Sequence, residues 1–414
     1  MESLLVKFSL LYLFIQCVHT ATVSKYKSYK DFKIYSIQNG NGLQRLIDTM
    51  KEFDESVFYS GNRNTTQILI SPDLVPMFEE IAAEAKLETK LVVDDYSGLI
   101  EIERVLPPRK SGFSWNAYYD VNDIYRYLSN MSQQYPTWTE LVVAGKSYEG
   151  RQILGLRINT PTDPDKPVMF IESGIHAREW ITPATTTYFI NQLLTSSDPD
   201  IIAMREKFDW HIFPTVNPDG YHHSYKYDRM WRKTRSKSEN GCYGADPNRN
   251  WDYNWLKHGA SNRPCDYQTY GGAKPFSEVE TRTLSEYIAG LENLTGYIAF
   301  HSDAQMLLVP YSDSVEHIDN YDDLIQIGKT SLEYGYKVNK EKYDGPATAA
   351  EILYKASGGS MDWVRYSQGT PLVYTYELRG VYFHWPPWRI SEQGDEVTQM
   401  MLGLVTEAQN LGYF

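Results

Sequence analysis

The chain carries Val168-Met169-Phe170-Ile171 and, a few residues on, His176-Ala177-Arg178-Glu179-Trp180. Four apolar residues in a row are the pattern of a strand buried on both faces. A histidine and a glutamate three apart, just beyond that strand, offer an imidazole nitrogen and a carboxylate oxygen. Both are good zinc donors, and a catalytic zinc takes three protein ligands and keeps one position open. A third ligand must then arrive from elsewhere. His-x-x-Glu also recurs in ordinary surface turns, so the pair needs its context.

Working outward, two further apolar runs end in residues of the same kind. Gly296-Tyr297-Ile298-Ala299-Phe300 ends at His301, and Pro371-Leu372-Val373-Tyr374-Thr375-Tyr376 ends at Glu377. Trp210 to Pro214 reads as another strand. Thr182-Pro183 reads as a helix start, with proline at the first helical position and the helix running from Ala184 to Leu194. The last helix is expected from about Glu396 to Gln409. This alternation predicts an α/β domain with a mixed, mostly parallel central sheet flanked by helices. Ligands of open α/β sheets bind outside the carboxyl ends of the strands, which puts His176, His301 and Glu377 on one rim. A lone His301 would more often be a satisfied core histidine.

The first part of the chain is built differently. Phe32 to Ile37 alternates like a strand, Gly42 to Met50 has helical spacing, and Gln67-Ile68-Leu69-Ile70 is a second strand. Ser71-Pro72 begins a helix through Leu74 to Lys86. Leu91-Val92-Val93 and Leu99-Ile100-Glu101-Ile102 are expected as further strands. The set predicts a small α/β domain with an antiparallel sheet. Leu106-Pro107-Pro108-Arg109-Lys110-Ser111-Gly112 is a stiff linker whose dibasic pair suits a trypsin-like protease. The expected organisation is residues 1–20 as a signal peptide, 21–110 as a prosegment released near Arg109-Lys110, and 111–414 as the catalytic domain. A plain interdomain linker is the alternative, disfavoured because the first domain offers no candidate site residue.

Composition narrows the class. A chain of 414 residues exceeds one typical core, and 42% hydrophobic with 22% charged residues is globular. A net charge of −13 argues against a nucleic-acid protein. No stretch of transmembrane length follows the first twenty residues, so no membrane partner is expected. The short apolar core from Phe8 to Cys17, ahead of Val18-His19-Thr20-Ala21, reads as a secretory signal, with a membrane anchor as the alternative. Cys242 and Cys265 then remain. In an oxidising compartment they pair most simply with each other, and two buried thiols are the alternative. Asn64, Asn130 and Asn293 stand in glycosylation sequons.

Several stretches together carry a resemblance. They are His176 to Trp180, Trp231-Arg232-Lys233-Thr234-Arg235, Asn248-Arg249-Asn250-Trp251, His301-Ser302, Tyr354 to Ser360 and Glu377-Leu378-Arg379. In order and spacing, Ser111 to Phe414 resembles a zinc metallocarboxypeptidase of the carboxypeptidase A/B family, and residues 22–110 resemble that family's inhibitory propeptide. The resemblance implies one zinc per chain on His176, Glu179 and His301. It implies Glu377 as general base, for which a buried carboxylate paired with Arg379 is the alternative. Arg235 is matched to the residue that stabilises the oxyanion. Asn248, Arg249 and Tyr354 are matched to the group that binds a terminal carboxylate, Arg178 and Arg232 to auxiliary substrate contacts, and Asp246 to the partner of the first zinc histidine. Cys242 and Cys265 match the family disulfide.

In the family, the side-chain pocket is floored by the residue seven after the mobile tyrosine, here Met361. Ala356, Thr375 and Leu308 match other pocket positions, and none carries a charge. The resemblance therefore implies release of single aromatic or aliphatic C-terminal residues from peptides and proteins, by a secreted, monomeric, digestive-type zymogen. A regulatory or processing carboxypeptidase would be expected to prefer basic termini. A silent binding protein on the same scaffold would be expected to lack a ligand or the base. One position departs from the pattern: Asp303 stands where an aromatic residue usually follows the His-Ser pair.

Overall fold

The computed structural model describes residues 26–53, 58–61, 64–104, 112–162 and 165–414. The signal-peptide reading and Arg109-Lys110 lie outside those residues.

A large sheet carries the site. Its strands are β5 (Thr139–Lys146), β6 (Gln152–Ile158), β7 (Val168–Ser173), β8 (Asp209–Phe213), β9 (Leu294–Ser302), β10 (Met306–Val309), β11 (Asp344–Thr348) and β12 (Leu372–Leu378). They stand in the order β11-β10-β12-β9-β7-β8-β6-β5. β12, β9, β7 and β8 run parallel to their neighbours in turn, while β5 with β6, β6 with β8, and β10 with β12 are antiparallel. The mixed, flanked sheet expected from the apolar runs is the one observed. Every residue of β7 is buried. Alternation sends Met169 and Ile171 into a core with Trp180, Phe189 and Leu404, and sends Phe170 into another with Trp251, Tyr297 and Trp363. Helices Ile181–Thr195, Tyr321–Asn339 and Ile390–Asn410 cover the first face, and Val279–Ala289 and Ser360–Gln368 the second.

Several element boundaries differ from expectation. His301 and Glu377 sit inside the last residues of β9 and β12, paired in register, instead of just beyond them. The helix after the first motif begins at Ile181, so Pro183 lies in its first turn but not at the first position. The final helix starts at Ile390, well over a turn earlier than the expected start near Glu396.

The N-terminal sheet comprises β1 (Lys33–Gln38), β2 (Phe58–Gly61), β3 (Thr65–Ile70) and β4 (Thr89–Val93), in the order β2-β3-β1-β4 and antiparallel throughout. Tyr35, Ile37, Ile68 and Ile70 pack under the helices Leu43–Phe53 and Val75–Glu84. The opposite face, with Ile34 and Leu69, packs on Met230, Tyr382 and Phe383 of the large domain. Leu99 to Ile102 is not a strand but part of a helix, Ser97–Glu103. Ile100 and Glu103 are its buried residues, three apart, so the period that counts is helical. Tertiary burial of a glutamate hid that period from a reading based on apolar residues alone.

Cys242 and Cys265 are joined across a sequence separation of 23. Closing a loop of that size stabilises a fold by about 3 kcal/mol on the chain-entropy account.

Candidate active site

The β7 terminus is shaped by a turn that needs glycine. Gly174 has φ 65°, and a Cβ there would lie 3.1 Å from the Pro214 carbonyl oxygen. The Thr182 hydroxyl accepts from Gly174 N–H at 3.1 Å and donates to the Glu179 carbonyl at 3.0 Å, tying the turn to the helix start. This fixes His176 and Glu179 beside the end of β9.

The ligand atoms of His176, Glu179 and His301 lie within 4.8 Å of one another, and all three side chains are buried. His176 Nδ1 is 2.8 Å from Glu179 Oε1, His301 Nδ1 is 3.4 Å from Glu179 Oε2, and the two Nδ1 atoms are 3.2 Å apart. Burial disfavours a carboxylate, yet the adjoining imidazoles hold Glu179 well below its ordinary range. Burial lowers His301, with Glu179 opposing, which favours the neutral ring that can donate a lone pair. His176 Nε2 meets Asp246 Oδ1 at 3.2 Å, and Asp246 takes two bonds from Arg232 at 3.1 and 2.9 Å. Burial opposes ionisation of Asp246, but Arg232 and His176 keep it far below the usual carboxylate range. Two converging imidazole nitrogens and one carboxylate, one histidine backed by a second carboxylate, form a donor set that suits zinc.

Around this triad opens a cavity of about 420 Å³. Glu377 lines it, and burial, Glu179 and Asp303 raise its carboxyl well above 4.5, against Arg232 and Arg249. Arg379 is not its partner: that guanidinium meets Glu392 at 3.0 Å and Glu396 at 3.4 Å. Asn248 and Arg249 also line the cavity. Gly358 permits this, because a Cβ there would sit 2.5 Å from the Arg249 carbonyl oxygen at φ 73°. Asn248 Oδ1 accepts from Ser360 N–H at 2.9 Å, which leaves its NH₂ as the donor toward the cavity. Arg249 is braced on the carbonyls of Gly259 and Asn248 at 2.9 and 2.8 Å. Tyr354 lines the cavity and is 50% exposed. Leu308, Ala356, Met361 and Thr375 line the same cavity, and the Thr375 hydroxyl is 3.3 Å from Met361 Sδ.

One matched residue is elsewhere. Arg232 lines the cavity, whereas Arg235 lies between the rings of Trp231 and Tyr243, 4.5 and 4.6 Å from their centroids. The segment from Trp231 to Arg235 is irregular, not helical. Arg232 therefore faces the triad, while the Arg235 guanidinium is taken up by the two rings outside the cavity lining. Arg235 is thus corrected to a structural position against Glu149, 3.8 Å away.

Other lining residues carried no signal in the sequence. Phe383 sits at φ 67° with its ring 4.1 Å from the Arg178 guanidinium, which also donates to Gln268 at 2.9 Å. Burial, with Arg232 nearby, lowers Arg178 to about 10. From the N-terminal domain, Asn39, Leu43, Gln44, Ile47 and Thr66 close the cavity's far side. The sequence offered no candidate site residue in this domain, and these residues line the cavity without adding to the His-Glu-His group. Only docking brings those residues there.

The profile of the zinc carboxypeptidase family, peptidase M14, matches residues 124–400. Zinc carboxypeptidase A 1 of Anopheles gambiae is 36% identical over 410 residues, covering 96% of this chain and 93% of that protein. The zinc carboxypeptidase of Simulium vittatum is 44% identical over 308 residues, covering 72% of this chain and 98% of that one. The crystal structure of carboxypeptidase A from Helicoverpa armigera superposes with a TM-score of 0.83 at 27% identity, covering 94% of this chain and 100% of that chain. The fold and the buried His-Glu-His group define a metallopeptidase. The chain belongs to the zinc carboxypeptidase family and is a carboxypeptidase-class hydrolase. Among the described residues no helix is long and apolar enough to cross a membrane.

Proposed function

We propose that this protein is a secreted zymogen which, after cleavage near Arg109-Lys110, removes single aromatic or aliphatic residues from peptide C-termini, as a monomer in digestive proteolysis. The observation that carries the reading is one cavity holding the His176-Glu179-His301 group, Glu377, Asn248-Arg249 and an uncharged end at Met361, closed by the N-terminal domain.

His176, Glu179 and His301 would hold one zinc, which when bound would supply Lewis acidity toward a water and the scissile carbonyl. Arg249 and the Asn248 NH₂ take the substrate's terminal carboxylate, with the guanidinium as its natural partner. Tyr354 covers the bound residue, whose side chain enters between Leu308, Thr375 and Met361. A cationic side chain would be buried there without a counter-ion, at high cost. Glu377 takes the proton of the attacking water and passes it to the leaving amine, a task for which its raised pKa suits it. Arg232 replaces Arg235 as the cation facing the developing oxyanion. Arg178 contacts the substrate further from the terminus, and Asp246 orients His176.

The zymogen reading is supported by Glu103, which ends the helix just before the proposed cleavage segment. Its carboxylate accepts from Arg229 at 2.7 and 3.0 Å, both side chains being buried. Arg229 also donates to the carbonyls of Arg178 and Phe383, at 2.6 and 2.8 Å. The prosegment is therefore latched to the wall of the cavity it covers.

The test is hydrolysis of a blocked peptide ending in Phe, before and after limited trypsin, with and without a zinc chelator. Activity should appear on cleavage and vanish on chelation. Peptides ending in Leu, Lys and Glu complete the set, and a clear preference for Lys or Arg would sink the proposed specificity. No turnover by the processed, zinc-loaded protein would move the case to a silent scaffold.

A further inference from the structure

Asp303 lies on the cavity wall, directly after His301-Ser302, and its surroundings give it a defined task. Its Oδ2 accepts the Phe383 backbone N–H at 2.9 Å. Its Cβ packs on Gly380, where an added Cβ would come within 2.8 Å. The Asp303 side chain thereby touches both ends of the segment from Gly380 to Phe383, its Cβ at Gly380 and its carboxylate at Phe383. That segment contains two successive non-glycine residues in the left-handed region, Tyr382 at φ 52° and Phe383 at φ 67°. Such a conformation persists only where surrounding contacts over-determine it. Phe383 in turn lays its ring 4.1 Å from the Arg178 guanidinium, and both residues line the cavity.

We infer that Asp303 is a positioning residue for extended peptides: it holds the 380–383 turn so that Phe383 and Arg178 form the wall along which the substrate leaves the site. With the C-terminal side chain placed among Leu308, Thr375 and Met361, the upstream residues are assigned to the part of the cavity lined by Arg178 and Phe383. There Phe383 packs against the N-terminal domain, which marks the mouth that opens when that domain departs. A substrate with one residue before the scissile bond scarcely reaches this wall, while one with three runs along it. This inference rests on the exopeptidase reading of the same site.

The experiment compares the processed, zinc-loaded protein with its D303A and D303N variants on a blocked dipeptide and a blocked tetrapeptide, both ending in Phe. Asparagine keeps an acceptor oxygen for the Phe383 N–H, and alanine keeps the Cβ packing but not the bond. D303A should lose about tenfold in kcat/KM on the tetrapeptide, through KM, as removal of one hydrogen bond to a charged group predicts. The dipeptide should change by less than about twofold, and D303N should behave as the parent on both. Amide exchange across 379–385 should accelerate in D303A and not in D303N. Equal loss on both substrates, no loss on either, or a D303N as poor as D303A would overturn the assignment. A parent that hydrolyses neither peptide refutes the exopeptidase reading itself. The exchange rates then still judge the turn, and unchanged exchange in D303A overturns it.

Discussion

Glu103→Gln in the intact chain tests how the N-terminal domain is held. Glu103 is 3% exposed and Arg229 0% exposed, so the pair is dry. Removing one partner of a buried, hydrogen-bonded ion pair costs about 3–5 kcal/mol, because the other charge stays buried without its counter-ion. Glutamine preserves the volume and one acceptor oxygen, so the lower end, about 3 kcal/mol, is expected here. That is roughly a hundredfold in the docking equilibrium. Other contacts remain, among them Tyr96 to the Tyr382 carbonyl at 3.3 Å and Leu69 N–H to the Tyr382 hydroxyl at 3.1 Å. The domain therefore stays attached and opens more often. Peptide hydrolysis by the uncleaved protein should rise ten- to a hundredfold (~3 kcal/mol at most), while the processed enzyme, which has lost residue 103, is unchanged. Glu101→Gln, on the exposed side of the same helix, is the control and should move docking by no more than about 0.5 kcal/mol. If the two variants are indistinguishable in the uncleaved protein, the buried pair does not hold the domain and the reasoning fails. Acid should act in the same sense. Burial opposes ionisation of Glu103, but Arg229 and His384 outweigh it and bring its pKa below 4.5. Its contribution is thus present above that value and lost as pH falls through the lowered folded value.

Further outcomes follow from the same geometry. Arg232→Ala should reduce kcat by about 10²–10³, as loss of an oxyanion donor does elsewhere, while Arg235→Ala should stay within a few-fold; steady-state kinetics on a Phe-ended peptide separates them. Met361→Asp should shift the Lys-to-Phe ratio of kcat/KM by about 10² or more, since a buried carboxylate is relieved only by a cationic side chain. Glu172 is buried, with Tyr297 and Ser360 donating to one oxygen at 3.0 and 3.3 Å, and burial pushes its carboxyl up from 4.5 to about 8. The carboxyl adds stability below its unfolded pKa, and this is lost as pH rises toward about 8. Glu172→Gln should therefore flatten the fall of Tm between these values, and an unaltered slope would remove Glu172 as its cause.

The large sheet was legible because its strands are buried on both faces and so read as unbroken apolar runs. The rim position of His176, His301 and Glu377 followed from those runs, and the parallel neighbours β7, β9 and β12 bear it out. Leu99 to Ile102 failed because its buried partner is a glutamate, which an apolar pattern does not count. Arg232 and Arg235 were confused because residue type and spacing do not reveal which side of an irregular segment faces the cavity.

Covalent order alone thus determined which residue types stand at the ends of which strands, since strand periodicity is a local property of a chain, and it carried the motifs whose resemblance implied the zinc carboxypeptidase class. Tertiary structure alone decided that Arg232 and not Arg235 enters the cavity, that Asp303 grips the turn at Phe383, and that Glu103 finds Arg229 across 126 positions of sequence. Those choices depend on burial and on contacts between distant segments. Neither exists until the sheet has folded and the N-terminal domain has docked.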